Sequence, residues 1–210
     1  MKRVEVLAPA GSMESLYAAI NKGADAVYLG GNKFSARAYA SNFDNDNMIK
    51  AIDYAHSYDV KVYVTLNTIL KENEIDEAVK YVGFLYEIGV DALIIQDVGL
   101  LKRIREDFKD FELHASTQLT VHNGEAALYF KDKGFHRIVL SRELSLDEIK
   151  KLKSRINSIE NEKEVLKKSN KELKFKLQNS RYKLLDLEKK LNDANFNLAI
   201  EKKIKNPLLK

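Results

Sequence analysis

One arrangement of residues occurs three times in this sequence: the end of a helical pattern, a glycine and a short apolar run. The three copies read NKGADAVYLG (21–30), EIGVDALIIQD (87–97) and DKGFHRIVLS (132–141). The glycine suits the position after a helix, because it adopts a left-handed backbone at no steric cost. The apolar run that follows is typical of a buried parallel strand. The repeat therefore predicts a chain built from βα units.

Residues 1–148 fit six such units. The predicted strands are Val4–Ala10, Ala26–Gly30, Lys61–Asn67, Ala92–Asp97, Glu112–Gln118 and Arg137–Leu144. The predicted helices lie near 12–22, 45–58, 73–88, 99–108, 123–133 and from Ser145 onward. The strands start about 27 residues apart, which favours an incomplete TIM-barrel-like (β/α) domain with six of eight strands. A flavodoxin-like doubly wound sheet, which needs no further strands, is the alternative fold.

Helix and turn signals agree with this assignment. Ser12 is a predicted N-cap, and Ser145 with Glu148 forms a predicted capping box at the start of the last helix. Asp25 and Asp91 lie in turns that precede strands, so they are predicted to accept backbone hydrogen bonds. Both are at the wrong end of a strand for catalysis in a barrel.

The charge changes sign near residue 148. Residues 1–148 contain 17 basic and 23 acidic residues, whereas residues 149–210 contain 18 and 8. The second segment also has no glycine and is helical by pattern up to Asn206-Pro207. We therefore divide the chain into a βα domain (1–148), a helical segment (149–205) and a disordered tail (206–210).

Residues 149–205 keep a heptad repeat over eight heptads, which predicts a coiled coil and hence a homo-oligomer. The first core position holds Ile149, Ile156, Lys163, Asn170, Leu177, Leu184, Leu191 and Leu198. The second holds Leu152, Ile159, Leu166, Leu173, Ser180, Leu187, Ala194 and Glu201. The four polar residues at these positions, Lys163, Asn170, Ser180 and Glu201, weaken the core of the coiled coil and restrict its register.

The composition excludes several kinds of site. There is no cysteine, which rules out disulfides, thiolate zinc sites and cysteine-ligated iron–sulfur clusters within these residues, and the four histidines have no metal-ligand spacing. The N-terminal run MKRVEVLAPAGS is short, contains Glu5 and stops at Pro9, so it predicts a strand rather than a signal peptide. We expect no metal, no membrane segment and a cytoplasmic protein.

Polar residues gather where the predicted strands end: Asn67, Gln96, Asp97, Ser116, Gln118, Arg142 and Glu143. Barrels and open α/β sheets place their sites at this edge, because the strands hold side chains rigidly while the loops close over a ligand. The edge is therefore the predicted site.

Several long segments, in one order, resemble the collagenase-like peptidases of family U32. They are VEVLAPAGSMESLYAAINKGADAVYLGGNKFSARAYASNF, AIDYAHSYDVKVYVTLNT, YEIGVDALIIQDVGLL, ELHASTQLTVHN and RIVLSRELSLDEI. The resemblance covers roughly residues 3–150 and implies a barrel-like catalytic domain. Some members of the family are named as peptidases, and related ones are associated with hydroxylation of uridine in transfer RNA or cytidine in ribosomal RNA.

The resemblance and the polar edge together give the candidate site. The catalytic candidates are His114, Arg142, Glu143 and Asp97, and the substrate-binding candidates are Asn67, Gln96, Ser116, Gln118, Lys33 and Arg37. A satisfied interior histidine is the favoured alternative for His114, and a structural ion pair is an equal alternative for Arg142. Lys33 and Arg37 follow Gly30-Gly31, where backbone amides are open to an anion.

The helical segment stands where the family continues into a cysteine-bearing half. In the RNA-modifying members that half is associated with an iron–sulfur cluster, so no cofactor is expected in this chain. The resemblance implies peptide hydrolysis or RNA-base hydroxylation, by a chain that we expect to be truncated and inactive. The alternatives are a coiled-coil oligomerisation protein with a vestigial barrel, and nucleic-acid binding through the basic segment.

Overall fold

The computed structural model describes residues 4–36 and 42–205, with side chains described up to residue 202. The chain divides into two compact units, Met1–Lys153 and Ser154–Lys210. Arg37 and the predicted disordered tail 206–210 lie outside the described residues.

The first unit is a half-barrel of six parallel strands. The strands are β1 (Leu7–Pro9), β2 (Ala26–Gly30), β3 (Lys61–Leu66), β4 (Ala92–Ile95), β5 (Glu112–Ala115) and β6 (Arg137–Ile138). The helices are α1 (Met13–Asn21), α2 (Asn45–His56), α3 (Ile75–Glu87), α4 (Val98–Asp107), α5 (Gly124–Asp132) and α6 (Leu146–Lys205). The strands lie in the sheet in chain order, β1 to β6. This order confirms the incomplete barrel and excludes the flavodoxin-like alternative, in which the strand order reverses.

Several strands are shorter than predicted. Strand β5 ends at Ala115 because the Ser116 side chain accepts a hydrogen bond from the Gln118 backbone N–H (3.3 Å) and begins a 3-10 turn over Thr117–Leu119. Gln118 therefore lies on this turn, and its predicted place in the strand is wrong. The predicted strand Arg137–Leu144 is likewise paired only over Arg137–Ile138.

The two faces of the sheet have different partners. Side chains that alternate along each strand, such as Val62, Val64 and Leu93, join the main hydrophobic core with the helices. The opposite, inner face holds a second apolar cluster of Ala26, Tyr63, Ala92 and Ile94. Burial on both faces explains why the strands are almost continuously apolar in sequence.

The repeated glycine motif ties neighbouring units together. Gly23, Gly89 and Gly134 all have positive φ, at 84°, 82° and 105°. Two residues later, Asp25 accepts a hydrogen bond from the Val6 N–H (2.8 Å) and Asp91 accepts one from the Val62 N–H (2.7 Å). In the third copy, the His136 ring nitrogen Nδ1 accepts from the Leu113 N–H at 3.2 Å. Each polar residue thus fixes the start of the preceding strand.

Helix α6 begins at the predicted capping box. The Ser145 N–H donates to Glu148 Oε2 (2.8 Å), and the Glu148 N–H donates to Ser145 Oγ (3.3 Å). The helix runs unbroken for 60 residues. Although α6 is long, it is highly charged, and none of the helices in the described part of the chain is apolar enough over a sufficient length to cross a bilayer.

Candidate functional site

A group of neutral polar side chains lies at the carboxyl ends of β2, β3 and β5, and we call it the polar rim: Ser35, Thr65, Asn67 and Ser116. Strand β3 positions Thr65, whose hydroxyl donates to the Leu29 carbonyl (3.2 Å) and shares a hydrogen bond with Ser35 Oγ (2.9 Å). Asn67 Oδ1 accepts from the Ala36 N–H at 3.0 Å. Asn67 Nδ2 donates to Ser116 Oγ at 3.5 Å, which is a long hydrogen bond.

Burial holds the rim in one arrangement. Thr65 and Ser116 are only 3% and 1% exposed, whereas Asn67 is half-buried. A Cβ at Gly30 would clash with Ser35 Oγ and lie 3.1 Å from Thr65 Oγ1, so the loop after β2 approaches the strand ends only because residue 30 is a glycine. The rim is therefore preorganised, and among the described residues the Nδ2 end of the Asn67 amide has only the long contact with Ser116.

A second polar group, the inner-face cluster, lies on the inner face of the sheet towards the amino ends of the strands: Glu5, Tyr63, Glu112, His114 and Arg137. Arg137 forms an ion pair with Glu5, and its Nη2 donates to Glu5 Oε2 at 3.3 Å. Tyr63 Oη donates to the same carboxylate (3.1 Å), and the Arg137 guanidinium carbon lies 5.4 Å from the Tyr63 ring centroid. His114 packs edge-on to the Tyr63 ring, with centroids 4.7 Å apart, and its Nε2 lies 2.7 Å from Glu112 Oε1.

The environment of this cluster shifts several pKa values. Burial lowers the pKa of His114, and the hydrogen bond to Glu112 only partly offsets this effect. Burial would raise the pKa of Glu112, but the hydrogen bond to His114 and nearby positive charge, including that of Lys61, hold that pKa below its usual value. The hydrogen bonds from Arg137 lower the pKa of Glu5, and burial raises the pKa of Tyr63. The cluster therefore favours a neutral imidazole beside two carboxylates.

No hydrogen bond or ion pair joins any two of the four predicted catalytic residues, all of which lie in the described part of the chain. His114 is 1% exposed and is hydrogen-bonded within the inner-face cluster. Asp97 caps α4 by accepting from the Leu100 N–H (2.8 Å), and it also accepts from the Leu70 N–H (3.2 Å). Arg142 and Glu143 are exposed, and Glu143 lies 3.7 Å from the His122 Nε2. Asp97 thus caps a helix, whereas the sequence analysis placed it at the end of a strand as a catalytic candidate.

Of the predicted substrate-binding residues, Asn67 and Ser116 meet in the polar rim. Gln96 is half-buried one residue beyond β4, and Gln118 is exposed on its 3-10 turn. Lys33 is exposed and forms an ion pair with Glu77 on α3. Arg37 lies outside the described residues.

Sequence reasoning missed Ser35 and Thr65 in the rim, and Glu5 and Arg137 in the inner-face cluster. Thr65 had a usable signal, because it is the last polar residue within an apolar strand and alternates with Tyr63 and Asn67. The contact of Glu5 with Arg137 spans 132 residues and depends on the curvature of the sheet, so no local pattern indicates it.

The residues of this chain do not fit an iron–sulfur cluster. Thiolates are the usual ligands of such clusters, and the 210 residues contain no cysteine. Within residues 4–36 and 42–202, no three histidine, aspartate or glutamate side chains are grouped so that they could hold a metal ion. We therefore derive no chemical step through a metal in this chain.

Comparison with known proteins decides the family. The sequence model of peptidase family U32 matches residues 11–167, which is most of the chain. The chain belongs to peptidase family U32. One relative, the 23S rRNA 5-hydroxycytidine C2501 synthase of Escherichia coli, is 47% identical over 148 residues. These residues cover 70% of this chain and 22% of that protein.

Other U32 relatives carry two kinds of name. A tRNA hydroxylation protein of Bacillus subtilis is 34% identical over 74% of this chain and 37% of its own length. An uncharacterised protease of Methanocaldococcus jannaschii is 37% identical over 74% of this chain and 38% of its own length. The chain thus spans about a fifth to two fifths of the length of these three curated relatives.

Solved structures agree with the half-barrel. A U32 peptidase structure aligns with a TM-score of 0.56 at 13% identity, over 66% of this chain and 58% of that one. The type I 3-dehydroquinate dehydratase of Clostridium difficile aligns with a TM-score of 0.53 at 16% identity, over 77% and 71%. At such low identities these structures bear on the fold alone.

Proposed function

We propose that the βα unit of this U32 protein binds a base of an RNA substrate at the polar rim, as part of an RNA-hydroxylation activity. The rim side chains that are partly exposed, Asn67 and Ser35, are neutral, which suits the donor and acceptor pattern of a base edge better than a charged ligand. The names of the 23S rRNA and tRNA relatives support the same class of substrate.

The long hydrogen bond of Asn67 carries this proposal. The Ala36 N–H fixes the carbonyl end of the Asn67 amide at 3.0 Å, whereas the Nδ2 end reaches Ser116 Oγ only at 3.5 Å. A carbonyl oxygen or ring nitrogen of a base replaces this weak contact with a stronger one at little cost in side-chain entropy, since the amide is already oriented. Ser35, held by the buried Thr65 hydroxyl, adjoins this amide.

Peptide hydrolysis is supported less well by the same geometry. A serine nucleophile needs a base within hydrogen-bonding distance. Ser116 is bonded to Asn67 and Gln118, while His114 is bonded to Glu112 and buried on the inner face. The hydroxyl and the imidazole thus belong to different hydrogen-bond networks.

Binding of a fluorescent single-stranded RNA to the full chain, measured by anisotropy, tests the proposal. Asn67→Ala should weaken binding about threefold to tenfold, which corresponds to the loss of one neutral hydrogen bond. Asn21→Ala is the matched control and should leave the affinity unchanged, because this exposed asparagine ends α1 and so lies towards the amino ends of the strands. Equal affinities for both variants, or competition by a peptide and not by unlabelled RNA, would contradict RNA binding at the rim.

A further inference from the structure

One side of α6 carries a stripe of leucines that are open to water. At the two heptad core positions these leucines are 55–64% exposed: Leu166, Leu173, Leu177, Leu184, Leu187, Leu191 and Leu198. Residues spaced alternately by three and four lie on the same side of a helix. Apolar area of this extent is unfavourable in water, and a partner helix with the same spacing covers it.

We propose that a second copy of this chain covers the leucine stripe, in a parallel, in-register, two-stranded coiled coil over residues 155–201. The charges that flank the stripe identify the partner. In a parallel pair, the residue before each first core position faces the residue five positions later on the other copy. Three such pairs are attractive: Arg155 with Glu160, Glu162 with Lys167, and Lys183 with Glu188. By symmetry, each pair occurs twice.

The opposite orientation has poorer electrostatics. An antiparallel pairing of residues 149–201, with Ile156 opposite Ala194, places equivalent flanking positions against each other. This brings like charges together in four kinds of pair: Glu160 with Glu188, Lys167 with Arg181, and Lys174 and Lys176 each with its own copy. One attractive pair, Glu162 with Lys190, does not offset them. The charge pattern is therefore complementary to a parallel copy.

The polar core positions are compatible with this arrangement. In a parallel, in-register pair, Asn170 meets Asn170 of the other copy, and the two amides hydrogen-bond to each other. An antiparallel pair places Asn170 near Ser180, so this position alone does not select the orientation. The flanking charges make that selection. Lys163, a charged residue at a core position, and the repulsive pair of Lys176 with Arg181 weaken the dimer.

Cysteine cross-linking of the full chain gives the direct test, because the sequence has no cysteine of its own. A parallel pair brings the two copies of Ala194 together at a second core position, within the range of a disulfide. Ala194→Cys should therefore form a covalent dimer on mild oxidation. Asn192→Cys, two residues away on the outward side, is the matched control and should not. Sedimentation of the unmodified chain should give twice the 24.0 kDa of one chain.

Three results would overturn the proposal. The first is the mass of a single chain at all concentrations, and the second is a mass of three or more chains. The third is a pattern of disulfides in a mixture of Ile156→Cys and Ala194→Cys chains. A disulfide that joins one variant to the other, with none between two Ala194→Cys chains, is the pattern expected of an antiparallel pair.

Exchange of charges tests the pairing itself. Glu162→Lys should weaken dimerisation about threefold, and Lys167→Glu in the same chain should restore it, because the attractive pair is re-formed with reversed sign. Lys176→Glu should strengthen the dimer by a similar factor, since it turns the repulsive pair into an attractive one. Equal dissociation constants for all these variants would show that the flanking positions do not face each other. Both tests are independent of RNA binding.

Discussion

Arg137 on the last strand of the sheet forms an ion pair with Glu5, which lies just before the first strand. Six strands at about 4.8 Å spacing would place these residues roughly 24 Å apart in a flat sheet. Their contact therefore requires the sheet to curl, as it does in a barrel. The Tyr63 ring in the middle of the sheet lies beside this pair, with its hydroxyl on Glu5 and its face towards Arg137.

Loss of this ion pair should destabilise the half-barrel. We expect Arg137→Met to lower the free energy of unfolding in urea by about 1 kcal/mol, a modest value because both side chains keep contact with water. Arg103→Met, which breaks the more exposed ion pair of Arg103 with Asp76, is the matched control and should cost less than about 0.5 kcal/mol. Equal losses for the two variants would mean that the Glu5 contact does not hold the sheet ends together.

The stability of the first unit should fall in mild acid because of His114. Since the pKa of His114 is lower in the folded than in the unfolded chain, unfolding takes up a proton. The stability that the neutral imidazole contributes is complete above the pKa of the unfolded chain, 6.5. It is lost as the pH falls through the pKa of the folded chain. The melting temperature should therefore drop below about pH 6.5, and His114→Phe should flatten this part of the profile. A melting temperature that rises on acidification through this range would contradict a neutral, buried imidazole.

Two glycine substitutions should have opposite effects on stability. Gly30→Ala places a methyl group against Ser35 and Thr65, and we expect it to destabilise the protein by about 1–3 kcal/mol and to weaken RNA binding. Gly83→Ala lies within α3, where the new Cβ is 3.6 Å from Phe108 Cζ, an ordinary contact. It should stabilise the protein by about 0.5–1 kcal/mol. Thermal melts of both variants measure these effects. An unchanged melting temperature for Gly30→Ala would contradict this account of the rim.

The 210 residues alone should bind no iron–sulfur cluster, because they supply no thiolate. After anaerobic reconstitution and desalting, iron analysis should give a background value. Nucleoside mass spectrometry and peptide-cleavage assays should likewise detect no turnover by these residues alone. Retained iron with RNA hydroxylation would show that other side chains replace the thiolates.

Most of the fold follows from local sequence patterns. The glycine repeat and the apolar runs locate all six strands, and Ser145 with Glu148 marks the start of α6, because these features act within a few residues. The candidate site is harder to predict from the sequence. Asn67 and Ser116 were predicted from their places after strands, whereas the role of Thr65 depends on a loop that approaches β3. The cluster around Arg137 depends on curvature that no single strand encodes.

Photo-cross-linking of RNA to the full chain, followed by mass spectrometry of the linked peptides, tests the central claim most directly. It separates binding at the rim from binding by the basic helix, where lysines are numerous between residues 163 and 183. We predict cross-links in the peptides that contain Asn67 and Ser116, and a clear decrease in their yield in the Asn67→Ala variant at the same RNA concentration. Cross-links confined to α6, and unchanged by that substitution, would contradict the proposed role of the polar rim.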